Sequence, residues 1–180
     1  KTSTEALSQY VDAKLRVQGV LSLTIQDEPL LLVPSTSFVD VASEAPTDPF
    51  TAPIRLVSNL LADDAEAAMA HRVKLAGNVT FNCQRSFFMQ DATGGVRVQP
   101  VEDHELRVGQ AVEVVGFPSA GGAVRTLTEA LVRPVGGVRA LQPEELDAGE
   151  GISFKHAGTL VQISAKLIAL RNRDGSQVLE

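Results

Sequence analysis

The sequence predicts an all-β chain organised around a five-stranded OB-fold barrel, and three observations lead to that prediction. Residues 73–98 alternate apolar with polar or small residues, which is typical of strands with one buried face. Glycines stand at the bends between short strands, as tight hairpins require. Only a short helix-or-loop segment separates the third strand from the fourth, an arrangement that describes an OB barrel. The complete barrel is predicted over residues 71–135.

The five strands can be placed along this segment in order. The first alternates on one face through Val73, Leu75, Gly77, Val79 and Phe81, which are therefore predicted to point inward. The turn at residues 91–95, with the sequence DATGG, ends in two glycines that can supply the positive φ of a hairpin with a bulge. The carboxylate that opens the turn should accept hydrogen bonds from nearby backbone amides. The other four predicted strands are Ser86–Gln90, Val96–Val98, Gln110–Gly116 and Val124–Val132.

The flanking sequence repeats parts of this pattern, which indicates partial OB-like repeats on both sides. The spacing of Leu15, Val17 and Gly19 matches that of the fourth strand, so we interpret residues 1–45 as strands four and five of one repeat. A competing interpretation makes residues 15–41 the first strands of a barrel. The same pattern predicts three further segments. Residues 46–70 form a linker with a helix over residues 53–61, and residues 136–153 form a second linker with a short helix near residues 143–146. Residues 154–180 form strands one to three of another repeat.

The first strand of that last repeat is predicted to run through Phe154, His156, Gly158 and Leu160. The front and back repeats then hold complementary shares of one barrel, two strands and three strands, each with unpaired edges. The expected partners are accordingly neighbouring OB-like repeats or a second chain. Because proline residues and the helix should stiffen the linkers, closure between two molecules is favoured over closure within one.

Composition narrows the classes of function. The formal net charge of −6 gives no general attraction for a phosphate backbone, which makes nucleic acid an unexpected partner. The single cysteine, Cys83, excludes an intrachain disulfide and cysteine-based zinc spacings, and it is expected to be a small buried or edge residue. No apolar run approaches the length of a membrane span, and the sequence starts without a hydrophobic signal core.

Catalytic patterns are not found in the sequence. His71, His104 and His156 lie far apart, without the spacing of a metal site or a nucleophile–base pair. The sequence contains no phosphate loop and no dinucleotide-binding fingerprint. We therefore expect a non-catalytic segment with no catalytic residues, no cofactor and no metal. The acidic run at residues 102–105 is expected to be a solvated loop.

One surface offers candidate ligand contacts, on strands two and three of the barrel. If alternate residues of these strands point inward, then Phe88, Gln90, Arg97 and Gln99 point outward, with Arg85 beside them. An outward phenylalanine next to an arginine is the minimum needed to stack a nucleic-acid base. The seven basic and six acidic residues of segment 71–133 nearly cancel. Two interpretations stay open: packing against a neighbouring repeat or linker helix, and recognition of a ligand.

The barrel sequence resembles a known family. The runs His71–Gly77, Phe88–Val96 and Val108–Phe117 are similar to the tandem OB-like modules outside the membrane in some large bacterial sensor histidine kinases. The resemblance implies a non-catalytic sensor or scaffold region, in the periplasm or otherwise extracytoplasmic, that binds an unknown small ligand or protein. Any kinase domain would lie outside this segment. The segments that resemble the region preceding such a module are Val11–Val20, Leu31–Ser35 and Ala45–Phe50.

A more distant similarity connects the barrel to the anticodon-binding barrels of class II aminoacyl-tRNA synthetases. In those barrels an outward aromatic residue opens the second strand, whereas Ser86 stands at that position here. The alternative function, a single-stranded nucleic-acid-binding OB module, is weakened by this difference.

Overall fold

The computed structural model describes residues 10–61, 71–119, 124–147, 154–173 and 176–179. These residues form β-strands joined by turns and short 3-10 segments, which confirms the all-β prediction. Alternation of apolar and polar residues, rather than a helical apolar stripe, dominates the sequence of each long element.

The N-terminal segment folds back on itself as a bent hairpin. β1 (Lys14–Val17) pairs antiparallel with β4 (Val39–Ser43), and β2 (Val20–Leu23) pairs antiparallel with β3 (Pro29–Leu32). Strands four and five of an OB barrel pair in this way, but so do strands one and two. The assignment of this segment to one end of a repeat therefore stays a prediction.

The middle of the chain is a closed barrel with OB topology. Its sheet runs in the order β5-β6-β7-β8-β10-β9, and β6 also pairs with β9, which closes the ring. β8 and β10 are parallel, whereas the other pairs among the five barrel strands are antiparallel. The strand bounds are β5 (Ile54–Arg55), β6 (Val73–Cys83), β7 (Ser86–Gln90), β8 (Gly95–Pro100), β9 (Gln110–Ser119) and β10 (Thr126–Val138).

Most of the predicted inward residues are buried in the barrel core, whereas Gly77 is half-buried and Phe81 is exposed. Leu75, Val79, Met89 and Val98 are fully buried, as the alternation predicted. The prediction that Phe81 points inward is wrong. Its side chain is 60% exposed, because the β6–β7 register shifts between Val79 and Phe81 and turns the following side chains outward. The remaining core residues are Val57, Leu60, Val73, Phe87, Val96, Leu106, Val112, Val114, Leu127 and Ala130.

The first linker does not form the predicted α-helix over residues 53–61. Ile54–Arg55 is a strand parallel to the start of β6, and Val57–Leu61 is a 3-10 segment. Val57 donates its amide hydrogen to the side chain of Asp91, which anchors the first residue of the 3-10 segment to the barrel. Val57 and Leu60 nevertheless enter the core, so the apolar stripe marked real burial but the wrong secondary structure.

The second linker is also a strand rather than a helix. β11 (Glu144–Leu146) pairs parallel with β12 (Val161–Ile163), the same relation that β5 has to β6. The strand predicted through Phe154–Leu160 begins later than expected: Phe154–His156 is a 3-10 segment, and Gly158 has φ +83°, which interrupts an extended chain. β13 (Leu170–Arg173) and β14 (Ser176–Leu179) then form an antiparallel pair, and the tip of their turn, residues 174–175, lies outside the described residues.

Candidate functional site

An exposed row of side chains crosses three neighbouring strands on the outside of the barrel. Phe81 on β6 lies opposite Phe88 on β7, and Phe88 lies opposite Arg97 on β8. The two phenyl rings have centroids 6.4 Å apart and are tilted by 53°, within the range of favourable aromatic pairs. We call Phe81, Phe88 and Arg97 the aromatic row.

The guanidinium of the row is held in place by a neighbouring hydroxyl. Arg97 Nε donates a hydrogen bond to Ser86 Oγ over 3.2 Å, and Ser86 is buried. The backbone amide of Arg97 donates to the carbonyl of Arg125, the residue before β10. Because one edge of the guanidinium is engaged while the residue remains exposed, its other donors face solvent beside Phe88.

The structure separates the five predicted ligand residues into two groups. Phe88 and Arg97 lie side by side in the aromatic row, with Phe88 half-buried. Gln90 is engaged elsewhere, since its Oε1 accepts a hydrogen bond from the Leu160 amide over 2.9 Å. Gln99 is half-buried on β8, and Arg85 is exposed at the β6–β7 turn, where it lines a separate depression of about 460 Å³.

Sequence reasoning missed Phe81, the second aromatic residue of the row. Strict alternation along β6 places it inward with Val79, and only the register shift places it outward. The sequence did contain a signal for this shift. Phe81 is followed immediately by Asn82, Cys83 and the turn, and barrel strands commonly bulge near their ends.

The carboxylate of Asp91 joins the first linker to the barrel. Its Oδ2 accepts the Val57 amide over 2.9 Å, and its Oδ1 accepts the Thr93 amide and hydroxyl, each over 2.7 Å, and the Gly94 amide over 3.2 Å. The expectation that this side chain accepts backbone amides is confirmed, and the contact with Val57 extends its role to a different segment. The Ser58 amide donates to Thr93 Oγ1, which adds a parallel contact.

A second carboxylate, Glu113, holds two barrel cations that also contact the first linker. Glu113 accepts hydrogen bonds from Arg133 and from Lys74, whose Nζ lies 3.1 Å from Glu113 Oε1. The hydrogen bond from Arg133, and then the one from Lys74, lower the pKa of the Glu113 carboxyl below its usual value. Lys74 also donates to the carbonyl of Phe50 over 2.9 Å, and the Arg133 guanidinium stands 4.4 Å from the Phe50 ring centroid.

The segment after β11 packs directly on the β7–β8 turn. A Cβ atom at Gly95 would stand 1.9 Å from the carbonyl oxygen of Gly158, so only glycine permits this approach. Besides the Gln90–Leu160 bond, the Leu160 carbonyl accepts the amide of Glu144 on β11. The barrel, β11 and residues 158–160 therefore share one contact region.

Two of the three histidines lie beside carboxylates. His71 Nδ1 is 3.4 Å from Asp12 Oδ1, and His156 Nδ1 is 3.3 Å from Glu144 Oε2. Within the described residues, no three His, Cys, Asp or Glu side chains are grouped as a metal site. Cys83 is exposed, which corrects the expectation of a buried or edge position, because it lies next to the turn beyond the bulge of β6.

No helix in the part of the chain that the structure describes has the length and apolarity to cross a bilayer.

Comparison with known proteins adds two structural similarities. No family model and no curated protein matches the sequence. The chain is similar to a chain in a structure of a replication protein A heterotrimer bound to ssDNA, with 21% identity, a TM-score of 0.33, and coverage of 37% of this chain and 58% of that one. It is also similar to the hypothetical protein ygiW from E. coli, with 20% identity, a TM-score of 0.34, and coverage of 47% of this chain and 92% of that one.

Proposed function

We propose that the chain is a non-catalytic scaffold within the extracytoplasmic part of a bacterial sensor receptor, in which tandem OB-like modules are held at fixed angles and bind a small ligand or protein. The observation that carries the proposal is a repeated strand pairing: β5 pairs parallel with β6, the first strand of the barrel, and β11 pairs parallel with β12, the first strand after the second linker. A linker that becomes a strand of the next module cannot swivel freely, in contrast to a flexible coil.

Polar contacts support the same proposal at each junction. Asp12, whose side chain is 4% exposed, accepts the Arg72 amide at the start of β6. Asp91 accepts the Val57 amide, and Gln90 accepts the Leu160 amide. These side chains are short or partly buried, so each bond fixes position at a small cost in side-chain entropy.

The rigid junction can be tested by Gly95→Ala, with Gly137→Ala as the control because a Cβ at Gly137 meets open space. The added methyl group should push the segment around Gly158 off the barrel without unfolding it. We expect a larger radius of gyration in small-angle X-ray scattering and faster hydrogen exchange at the Leu160 amide, with little change in barrel unfolding. A Leu160 amide that already exchanges as fast as a free peptide in the wild-type chain would refute the rigid scaffold.

The compartment is tested separately with the intact gene product in its own cells. Epitope-tagged protein should fractionate with envelope or periplasmic markers after osmotic shock. Recovery with the cytosolic marker would overturn the sensor assignment and leave the scaffold geometry untouched.

The aromatic row favours a second candidate function, binding of single-stranded nucleic acid. Two neighbouring phenylalanines and one arginine on adjacent strands can hold successive bases, and stacking contributes about 1–3 kcal/mol per base. Arg85 and Arg97 are the exposed cations on this side, and both could contact phosphates.

Titration with a fluorescent oligonucleotide at low salt decides between the two functions. If the row binds nucleic acid, Phe88→Ala should weaken binding about tenfold or more. The logarithm of affinity should then fall with the logarithm of salt with a slope of about −1.4, the value for two phosphate contacts on a single strand. Val108→Ala in the loop between β8 and β9 is the matched control, because Val108 is exposed and is not part of the row. Binding that stays weaker than micromolar in the wild type excludes this function.

A further inference from the structure

A depression of about 440 Å³ opens where the second linker crosses the barrel. Its walls come from the β7–β8 turn with Asp91, from Glu144 on β11, and from the segment that contains His156. The close approach of Gly95 to Gly158 holds the turn and this segment together. The volume is in the range of small-molecule sites in proteins, and no residue of the aromatic row lines it.

Arg125 presents a guanidinium to this depression without a partner in the protein. The residue is half-buried, and its Nε is buried with no hydrogen-bond partner. No carboxylate of the described residues forms an ion pair with it. A Cβ atom at Gly94 would stand 3.6 Å from Arg125 Nη1, so the guanidinium borders the turn. A ligand carboxylate at its terminal nitrogens would meet a partly desolvated cation, where attraction is stronger than in bulk water.

The acceptors in the walls are already used by the protein, except at Glu144. Both oxygens of Asp91 accept hydrogen bonds from the chain, and Gln90 Oε1 accepts the Leu160 amide. Glu144 Oε2 lies 3.3 Å from His156 Nδ1, but the side chain of Glu144 is 50% exposed. This carboxylate therefore has room for a further donor. The depression offers one cation that needs an acceptor and one carboxylate that can accept.

We infer that this depression binds a free α-amino acid, whose carboxylate pairs with Arg125 and whose ammonium group donates to Glu144. The formal charges of Arg125 and Lys155 in the walls balance those of Asp91 and Glu144. A ligand with two separated charges and no net charge therefore complements the walls better than an anion or a cation does. The inference rests on the proposed function, because it needs the second linker to be held on the barrel and names the class of small ligand bound there.

Titrations of the ¹⁵N-labelled 180-residue chain, followed by NMR, test the ligand class. The probes are L-alanine, L-leucine, L-glutamate and L-arginine, one for each kind of side chain. At least one should shift the amide signals of Gly94 and Thr159 in a saturable way, since both residues line the depression. The N-acetyl derivative of that amino acid lacks the ammonium group and its amide derivative lacks the carboxylate, so each should bind roughly tenfold more weakly or worse. Inorganic phosphate or either derivative binding as tightly would overturn the inference.

Two variants and two matched controls locate the binding. Arg125→Gln and Glu144→Gln should each weaken binding roughly tenfold. Arg107→Gln and Glu102→Gln should bind as the wild type does, because both residues are exposed in the loop between β8 and β9. Unchanged affinity in both Arg125→Gln and Glu144→Gln would overturn the inference.

Hydrogen exchange at the Leu160 amide, measured in the same samples, separates this inference from the scaffold proposal. A protected amide in a chain that binds none of the four amino acids overturns the inference and leaves the scaffold standing. An amide that exchanges as fast as a free peptide, together with no binding, overturns both.

Discussion

Removal of the Asp91 carboxylate should destabilise the barrel and release the first linker. In Asp91→Ala the amides of Val57, Thr93 and Gly94 and the Thr93 hydroxyl all lose their acceptor. Val57 is fully buried, so its amide cannot be fully compensated by water, whereas the amides of the half-exposed turn can.

The expected magnitude follows from this difference in burial. Loss of a buried donor's acceptor costs about 1–3 kcal/mol, and loss of the charge-assisted bonds at the exposed turn adds less. We expect Asp91→Ala to lower the free energy of unfolding by about 2–3 kcal/mol. Asp91→Asn keeps the shape but presents an NH₂ group to one set of donors, and should cost about 1–2 kcal/mol.

Urea unfolding followed by circular dichroism measures the free energies, and hydrogen exchange followed by NMR measures protection of the Val57 amide. Asp103→Asn is the matched control, because Asp103 is exposed in the loop between β8 and β9. The reasoning is refuted if Asp91→Ala is no less stable than Asp103→Asn, or if protection of the Val57 amide is unchanged.

Three further predictions follow from single side chains. Glu113→Gln should destabilise the chain by about 1–2 kcal/mol at neutral pH, because Lys74 loses a charged acceptor. Since the folded-state pKa of Glu113 is lowered, its contribution is present above the unfolded value near 4.5 and is lost as pH falls through the folded value. Urea unfolding of both chains should therefore converge in strongly acidic buffer, and a difference that persists there would contradict this. Gly77→Ala should cost about 1–3 kcal/mol in the same assay, because the new Cβ would stand 2.4 Å from the Gln90 carbonyl oxygen, whereas Gly137→Ala should be close to neutral. Cys83 should react with a thiol reagent in the folded chain about as fast as after unfolding; strong protection from modification would show that it is not exposed.

Local alternation predicted most of the barrel because each strand has one buried face. Val79, Met89 and Val98 occupy the inward positions that the pattern assigned, and the strand Ser86–Gln90 has the predicted bounds. The pattern failed at Phe81, where a register shift depends on pairing with β7 rather than on the residues of β6 alone. For the same reason, the ligand residues predicted from the sequence did not include Phe81.

The linkers show a different limit of sequence reasoning. A stripe of apolar residues over 53–61 predicts a helix, yet Val57 and Leu60 become buried in a 3-10 segment. The contact that anchors this segment comes from Asp91, which is 34 positions away from Val57, and no local pattern contains that information. How residues 10–43 and 154–179 divide into OB-like repeats stays a prediction, because antiparallel pairing is common to several strand pairs of the barrel.

The distribution of charge bears on which ligand could use the aromatic row. The net charge of −6 suggests repulsion of any polyanion, but formal charge does not measure the field at one surface. The charge of Glu113 is balanced by two cations, whereas Asp91 accepts hydrogen bonds from neutral groups that leave its charge in place. The exposed residues of the acidic loop at 102–105 remain as a source of repulsion. Any affinity of the row for a single strand must therefore come chiefly from stacking on the two rings, with a weak dependence on salt. A ligand with flat apolar groups and little negative charge fits this surface better than an extended polyanion.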